Sequence, residues 1–482
     1  MRNHFSFKSF YRILWVLLIA GWMSGCQKEV PEPETANVPG NSALKSASIT
    51  NYIVLTASET LPAGFEKQLT AYGRVVKTLP EIGMAVVKPS TADFELKVSK
   101  LEGVLAVVPD LKFKWIEPSN YILTSKKFNK QSNPPSIGSN EPYFFYQWGM
   151  DAINAPEAWN AGYKGKNARV FILDSGIDAE HPDLAPNLNT SLCTSFVPGE
   201  GYNVAPGGDF SHGTHVAGII AAADNEYGVI GVAPQAEIVA VKVLSEFTGS
   251  GDFSWVNEGI IYAANNGADV INMSLGAIFS RSGFYLDEND VLQKIPAVYI
   301  QQMILAQQRA VNYASRKGAT IVVSAGNEYH NADGDAYLFI LPAGLQNVIT
   351  VSATAPDYWY GSLVANVTDP NLDIPASYTN FGKSLISIGA PGGDFDYQGL
   401  LNWHWDMVLS TTNEGFAWAA GTSMASPHVA GVAALLIGKN GGSMNPQTVT
   451  TQLLKTADAI DGNGISAWYG KGRVNAQRAV SE

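Results

Sequence analysis

The chain has 482 residues, enough for two to four domains and a sizeable buried core. Apolar residues make up 46 % and charged residues 15 %, which excludes a disordered chain, and a net charge of −12 argues against a nucleic-acid partner, since phosphate neutralisation needs a cationic face. Two cysteines, Cys26 and Cys193, exclude a disulfide framework.

The N-terminus carries Arg2, Lys8 and Arg12, an apolar run over 13–22, and then Met23-Ser24-Gly25-Cys26. A basic segment, a short apolar segment and small residues before a cut read as a secretory signal over 1–25, and the run is too short for a comfortable membrane span. Small residues directly before a cysteine resemble the bacterial lipobox, which implies a lipid on Cys26 and a membrane anchor for an exported protein. An ordinary secretory signal that happens to contain a cysteine is the alternative. Residues 26–49 are polar and Pro-rich, hence a tether. Over 50–115 the pattern predicts strands at 52–55, 73–79, 84–87 and 104–108 and helices at 63–72 and 92–100. That βαββαβ order implies a small α+β, ferredoxin-like unit. Residues 116–146, rich in Ser, Asn, Lys and Pro, read as a linker.

Over 147–482 short β-rich runs alternate with helical patterns. Strands are expected at 169–173, 237–244, 269–275, 320–324, 348–352 and 385–388, and helices at 213–223, 254–266, 299–317, 423–438 and 446–457. This predicts an α/β domain with a mostly parallel sheet covered by helices on both faces. In such sheets ligands sit at the carboxyl ends of the strands. Three polar sites stand there or at a helix start. Asp174 ends Val170-Phe171-Ile172-Leu173-Asp174-Ser175-Gly176, His212 opens a small-residue helix in Ser211-His212-Gly213-Thr214-His215, and Ser423 opens another in Gly421-Thr422-Ser423-Met424-Ala425-Ser426-Pro427. Each alone could be a helix cap or a turn former. Together they supply what acyl transfer needs: a hydroxyl nucleophile, an imidazole base titrating near neutrality, and a carboxylate to orient it.

On these motifs the domain resembles the subtilisin-like serine peptidases, whose triad runs Asp, His, Ser along the chain. The resemblance implies that Asp174 orients, His212 is the base and Ser423 the nucleophile, within a serine-type endopeptidase acting through an acyl-enzyme. It implies that Asn327, in Ser324-Ala325-Gly326-Asn327, donates to the oxyanion beside the Ser423 backbone N–H. It implies that Gly249, Ser250 and Gly251 on one side, and Ser274, Leu275 and Gly276 on the other, pair with substrate backbone. The floor of the specificity pocket then falls near 339–342. A structural calcium ion is implied on Asp183, Ala223, Asn225, Tyr227 and Val229, an oxygen-rich set suited to Ca²⁺, with Gln147 as a further candidate; no organic cofactor is implied. The 50–115 unit resembles the family's inhibitory propeptides, so the peptidase is expected as a self-processed precursor cut in the linker, with protein or peptide substrates and its own propeptide as partners.

Several features stay open at this level. Segments 277–298, 358–377 and 395–416 are longer than in compact relatives and either select substrates or pack; the aromatic group Trp403, Trp405 and Trp418 fits packing better. His215, His428 and Cys193 read as buried structural residues. A catalytically silent binding protein on the same scaffold is the rival reading. An esterase of the α/β-hydrolase type is disfavoured, since Ala425 stands where Gly-x-Ser-x-Gly needs glycine.

Overall fold

The structure, a computed structural model, describes residues 50–116, 121–124, 140–206, 210–335, 337–462 and 464–482. The expected signal, Cys26 and the 26–49 tether lie outside the described residues, as does part of the expected linker.

The small N-terminal unit has the expected element order. Its antiparallel sheet runs, edge to edge, Gly73–Leu79, Met84–Pro89, Tyr52–Thr56 and Val104–Pro109. Side chains alternate along a strand, so Val54, Val87 and Val107 face the two short helices Phe65–Leu69 and Phe94–Val98. Ile53, Leu55, Val86 and Val108 face the other way. They share a core with Val256, Ile260, Ile300 and Met303 of the large domain's helices Phe253–Asn265 and Ala297–Arg316. Both helices of the unit are shorter than their apolar pattern, because Gly64 before the first and the turn at Thr91–Phe94 before the second take up residues expected to be helical.

The large sheet runs Ile374–Pro375, Ile349–Ala355, Thr320–Ser324, Val270–Met273, Arg169–Asp174, Glu237–Lys242 and Thr194–Ser195, with Ile388–Pro391 also paired to Ile349–Ala355. All pairings are parallel except the Ile374–Pro375 edge. Parallel strands covered on both faces need continuous apolar runs, as in Val170-Phe171-Ile172-Leu173, where all four side chains are at most 1 % exposed. Val170 and Ile172 meet helices His212–Ala221 and Thr422–Lys439 on one face. Phe171 and Leu173 meet Phe253–Asn265 and Ala297–Arg316 on the other. The strand expected at 385–388 begins instead at Ile388, because Leu385 and Ile386 both donate to the Gly382 carbonyl in a turn.

Two further sheets flank the carboxyl ends. The long segment after Gly276 is a meander, Ala277–Ser280, Phe284–Leu286 and Leu292–Lys294, whose first strand also pairs with Leu338–Leu341. The hairpin Val408–Thr412 and Gly415–Ala419 takes Tyr121–Leu123 as its third strand. The aromatic group behind it packs, as expected. Trp418 is 2 % exposed, with Tyr146 and His404 edge-on to it, and Trp405 sits edge-on to Tyr146 in turn.

Candidate active site

Asp174 is the last residue of its strand, and His212 the first of a helix whose N-cap is Ser211, with the Ser211 hydroxyl accepting from the Thr214 N–H. The helix can come this close because residue 213 is glycine: a Cβ there would lie 2.2 Å from the Gly176 carbonyl oxygen. The result is a contact of 2.8 Å between His212 Nδ1 and Asp174 Oδ1, and 3.0 Å to Oδ2, with both residues buried. Asp174 Oδ1 also accepts the Ser175 N–H at 2.7 Å. A carboxylate on Nδ1 fixes the tautomer that leaves Nε2 as the acceptor.

Ser423 stands in the first turn of Thr422–Lys439, 9 % exposed, its hydroxyl turned toward the Ser274 carbonyl at 3.3 Å. Behind it, the Ser274 hydroxyl bridges the Ser423 carbonyl (2.9 Å) and Ser426 Oγ (2.8 Å). Asn327 Oδ1 accepts the N–H and the hydroxyl of Thr422, at 2.9 and 2.8 Å, so its amide nitrogen points the other way, into the cleft. A point one Cβ length from Gly421 lies 3.6 Å from Asn327 Nδ2, 3.6 Å from the Ser423 nitrogen and 3.7 Å from Met424 Sδ. Asn327 Nδ2 and the Ser423 nitrogen thus lie near one point beside the serine, where two donors to a developing oxyanion would be needed.

Asn380 carries no signal in the sequence, where it is one Asn among many turn residues. It is fully buried; its Nδ2 donates to the Ala325 carbonyl at 2.9 Å, and its Oδ1 accepts from the Glu328 and His330 N–H groups at 3.1 and 2.8 Å. It therefore clamps the segment on either side of Asn327.

His215 and His428, the other histidines of these motifs, are structural. His215 Nε2 donates to the Ala417 carbonyl (3.0 Å) and His428 Nδ1 to the Met424 carbonyl (2.8 Å), and burial pushes them down to about 3 and about 4, so both are neutral. Cys193 is half-buried, with its thiol pushed up to about 11 by burial, which leaves it protonated and inert.

The two expected substrate edges are occupied by the chain itself. Lys112, Phe113 and Lys114 pair antiparallel with Asp252, Gly251 and Ser250. The Trp115 and Ile116 N–H groups both point at the Gly249 carbonyl, at 3.1 and 3.4 Å, and the Gly276 N–H donates to the Trp115 carbonyl at 2.8 Å. Below Gly276 lie Ile340 and Leu341, both buried, which makes the expected pocket floor apolar. In the strand that leads toward the Ser423 helix, Ala419, Trp418 and Ala417 pair with Tyr121, Ile122 and Leu123, and Tyr121 stacks on Phe210 at 4.6 Å.

The expected calcium ligands form a loop around Asp183. Asp183 Oδ2 accepts the Val229 N–H at 3.1 Å, while the buried Oδ1 has no hydrogen-bond partner. Asn225 lies alongside, its Oδ1 accepting the Tyr227 N–H at 3.0 Å, and the Ala223 N–H donates to the Asp183 carbonyl at 2.8 Å. Gln147 is not in the set: both ends of its amide are bound to the backbone of Ile230. The residue that is there is Glu141, fully buried, whose Oε1 accepts the Asn225 and Glu226 N–H groups at 2.7 Å each. Its position before Pro142 gave no sequence signal. Burial, with the Glu141 charge adding to it, pushes Asp183 up to about 7. Two buried carboxylates and an orphaned oxygen fit a hard cation.

A serine in the first turn of a helix, an imidazole held by a buried carboxylate and an asparagine amide near the serine, set at the carboxyl edge of a parallel sheet, are the kinds of group that a serine endopeptidase uses. Residues 165–472 match the family model described as the subtilase family, and the chain belongs to that family. It is 36 % identical to thermitase of Thermoactinomyces vulgaris over 71 % of this chain and 98 % of that protein. It is 34 % identical to subtilisin E of Bacillus subtilis over 77 % and 82 %. Among solved structures it is similar to fervidolysin of Fervidobacterium pennivorans, a keratinolytic enzyme, with a TM-score of 0.65 and 26 % identity over 90 % of this chain and 61 % of that one. The epidermin leader peptide processing protease of Staphylococcus aureus shares the fold at a TM-score of 0.68 and 24 % identity, over 89 % and 97 %.

Proposed function

We propose that this chain is the precursor of an exported endopeptidase that uses Asp174, His212, Ser423 and Asn327 and frees itself by cutting its own linker. The Ser423 hydroxyl attacks the scissile carbonyl and gives its proton to His212 Nε2, while Asp174 holds the Nδ1–H and stabilises the imidazolium. The oxyanion is received by Asn327 Nδ2 and the Ser423 N–H. His212 then protonates the leaving amine, and water, deprotonated by the same imidazole, releases the acyl group.

The observation that carries the self-processing reading is where the described residues flanking 117–120 are held. Ile116 is held at the Gly249 carbonyl, one residue after Trp115 meets Gly276, and Tyr121 pairs with Ala419, four residues before Ser423. The bond that is cut accordingly lies between Ile116 and Tyr121. Backbone pairing reads an extended shape more than a sequence, which favours broad action on unfolded or flexible polypeptides. The 50–116 unit then acts as an inhibitor, held by its own tail along the substrate edges.

Calcium would be held by Asp183, Asn225 and Glu141 with the carbonyls of Ala223, Tyr227 and Val229, and when bound it would supply charge balance that ties the 223–229 loop to the start of the domain. With a lipid on Cys26 the anchor stays on the propeptide, and the peptidase leaves the membrane after processing. The test is Ser423→Ala: it should leave only full-length, membrane-bound protein and abolish labelling by a serine-directed fluorophosphonate. Normal release of the variant would assign the cut to another protease, and undiminished labelling would remove Ser423 from the mechanism.

A further inference from the structure

The segment after Gly276 is not a bare loop. Its meander forms an outer wall of the cleft, and the chain's own 112–115 segment shows what that wall receives. Phe113, 1 % exposed, sits edge-on to Phe279 at 5.0 Å and to Tyr285 at 5.5 Å, both of them on the meander. Trp115 stacks on Phe253 and donates its indole N–H to the Gly251 carbonyl at 2.9 Å. Strand alternation sends Lys112 and Lys114 to the opposite face. There Lys112 Nζ meets Glu288 at 2.9 Å and Lys114 Nζ meets Asp290 at 2.7 Å.

The turn that carries those two acids is built to present them. Asp287 Oδ1 accepts the Asn289 and Val291 N–H groups at 2.9 and 3.1 Å, its Oδ2 accepts from Gln293 at 2.7 Å, and its N–H closes on the Val291 carbonyl at 3.0 Å. Asp287 is spent on holding the turn, so Glu288 and Asp290 face the bound strand at alternate positions, matching the two-residue repeat of the lysines.

We propose that this acidic turn, with the aromatic cage of Phe279 and Tyr285 beneath it, is a charge-reading subsite on the acyl side of the cut, selecting extended segments in which cationic residues flank an aromatic one. Glu288 and Asp290 are its specificity-determining residues. The proposal rests on the reading of 112–116 as a substrate-like occupant of the cleft. Each ion pair is partly exposed and worth a few-fold at most, so two together give a preference of about three- to tenfold at low salt. The preference falls toward unity as salt shortens the screening length.

The test uses the self-processed enzyme and two internally quenched peptides spanning residues 112–123, one natural and one with both lysines replaced by glutamate. The expected result is a higher kcat/KM for the natural peptide in low salt, and a reversed preference in the Glu288→Lys/Asp290→Lys variant. Glu288→Gln/Asp290→Asn should bring the ratio near one, and it guards against misfolding of the charge-reversed protein. A wild-type ratio near one, or a ratio that neither variant moves, overturns the subsite. A short uncharged anilide substrate, which does not reach the wall, separates the two failures: if it too is not hydrolysed, the catalytic reading falls, and if it is hydrolysed without any charge preference on the long peptides, only this subsite does.

Discussion

Replacing Asn380 with alanine tests whether Asn327, the proposed oxyanion donor, depends on a buried residue behind it. The truncation strips a partner from one carbonyl, two N–H groups and the Glu328 carboxylate in a region where Asn380 is fully buried. At about 1 kcal/mol for each lost hydrogen bond, the protein should be destabilised by about 2–4 kcal/mol, lowering Tm by several degrees. The larger consequence is kinetic. Gly326, the residue before Asn327, has φ +98°, and a Cβ there would meet Asn380 Nδ2 at 2.4 Å, so the asparagine amide braces the turn that aims Asn327. Removing an oxyanion donor outright costs about 10²–10³ in kcat in subtilisin, a member of the same family. Loosening it should cost about tenfold or somewhat more, in kcat rather than KM, because the donor acts on the transition state. The assay is steady-state hydrolysis of a short anilide by wild type, Asn380→Ala, Asn327→Leu and the double variant. If Asn380 acts through Asn327, its effect on kcat shrinks to less than about twofold in the Asn327→Leu background. An undiminished effect in that background, or a rise in KM with kcat intact, would refute the reasoning.

Chelation of calcium should lower Tm by a few degrees, since an ion at a hundred times its Kd stabilises by about 2.7 kcal/mol; in Glu141→Ala the chelator should make little difference, as scanning calorimetry would register. Peroxide should reduce activity, because Met424 Sδ borders the space that the oxyanion donors share and a sulfoxide would put a polar oxygen there. Met424→Ala should resist, and equal loss in both proteins would point to another target. Attachment of the small unit should weaken as pH rises. Asp110, which accepts the Ser254 N–H and hydroxyl, is pushed up to about 7 by burial, with Asp252 and Glu258 adding to it, and Asp252 is pushed up to about 6, partly offset by Lys112. Lys77 on Glu258 and Glu288 near Asp252 complete the charges facing this contact. Exposed carboxyls titrate near 4, so protons favour the docked state. That contribution is whole below about pH 4 and lost as pH rises through 7. Release of the small unit from the processed enzyme should be at least about tenfold faster at pH 8 than at pH 5, followed by size-exclusion chromatography, and a pH-independent or acid-triggered release would contradict it.

The order of elements, the parallel sheet and the three triad motifs were legible in the sequence, for local reasons. Val170-Phe171-Ile172-Leu173 can only be a strand buried on both faces, and a polar residue at its end must stand at the carboxyl edge. What stayed hidden depends on contacts between distant segments. Glu141 looks like a surface acid until the fold lays it against Asn225, and the meander after Gly276 reads as a long loop, because its pairing partner, Leu338–Leu341, lies some sixty residues on. Local patterning alone determined that this chain carries the parts of a serine peptidase. Only tertiary packing decided that Asp174 reaches His212 past a glycine with no room for a side chain, that Asn380 braces the turn around Asn327, and that the chain's own Lys112–Lys114 strand pairs with Ser250–Asp252 beside Glu288 and Asp290. A hydrogen bond or ion pair between residues far apart in sequence leaves no periodic trace along the chain, and it exists only once folding has brought its two ends together.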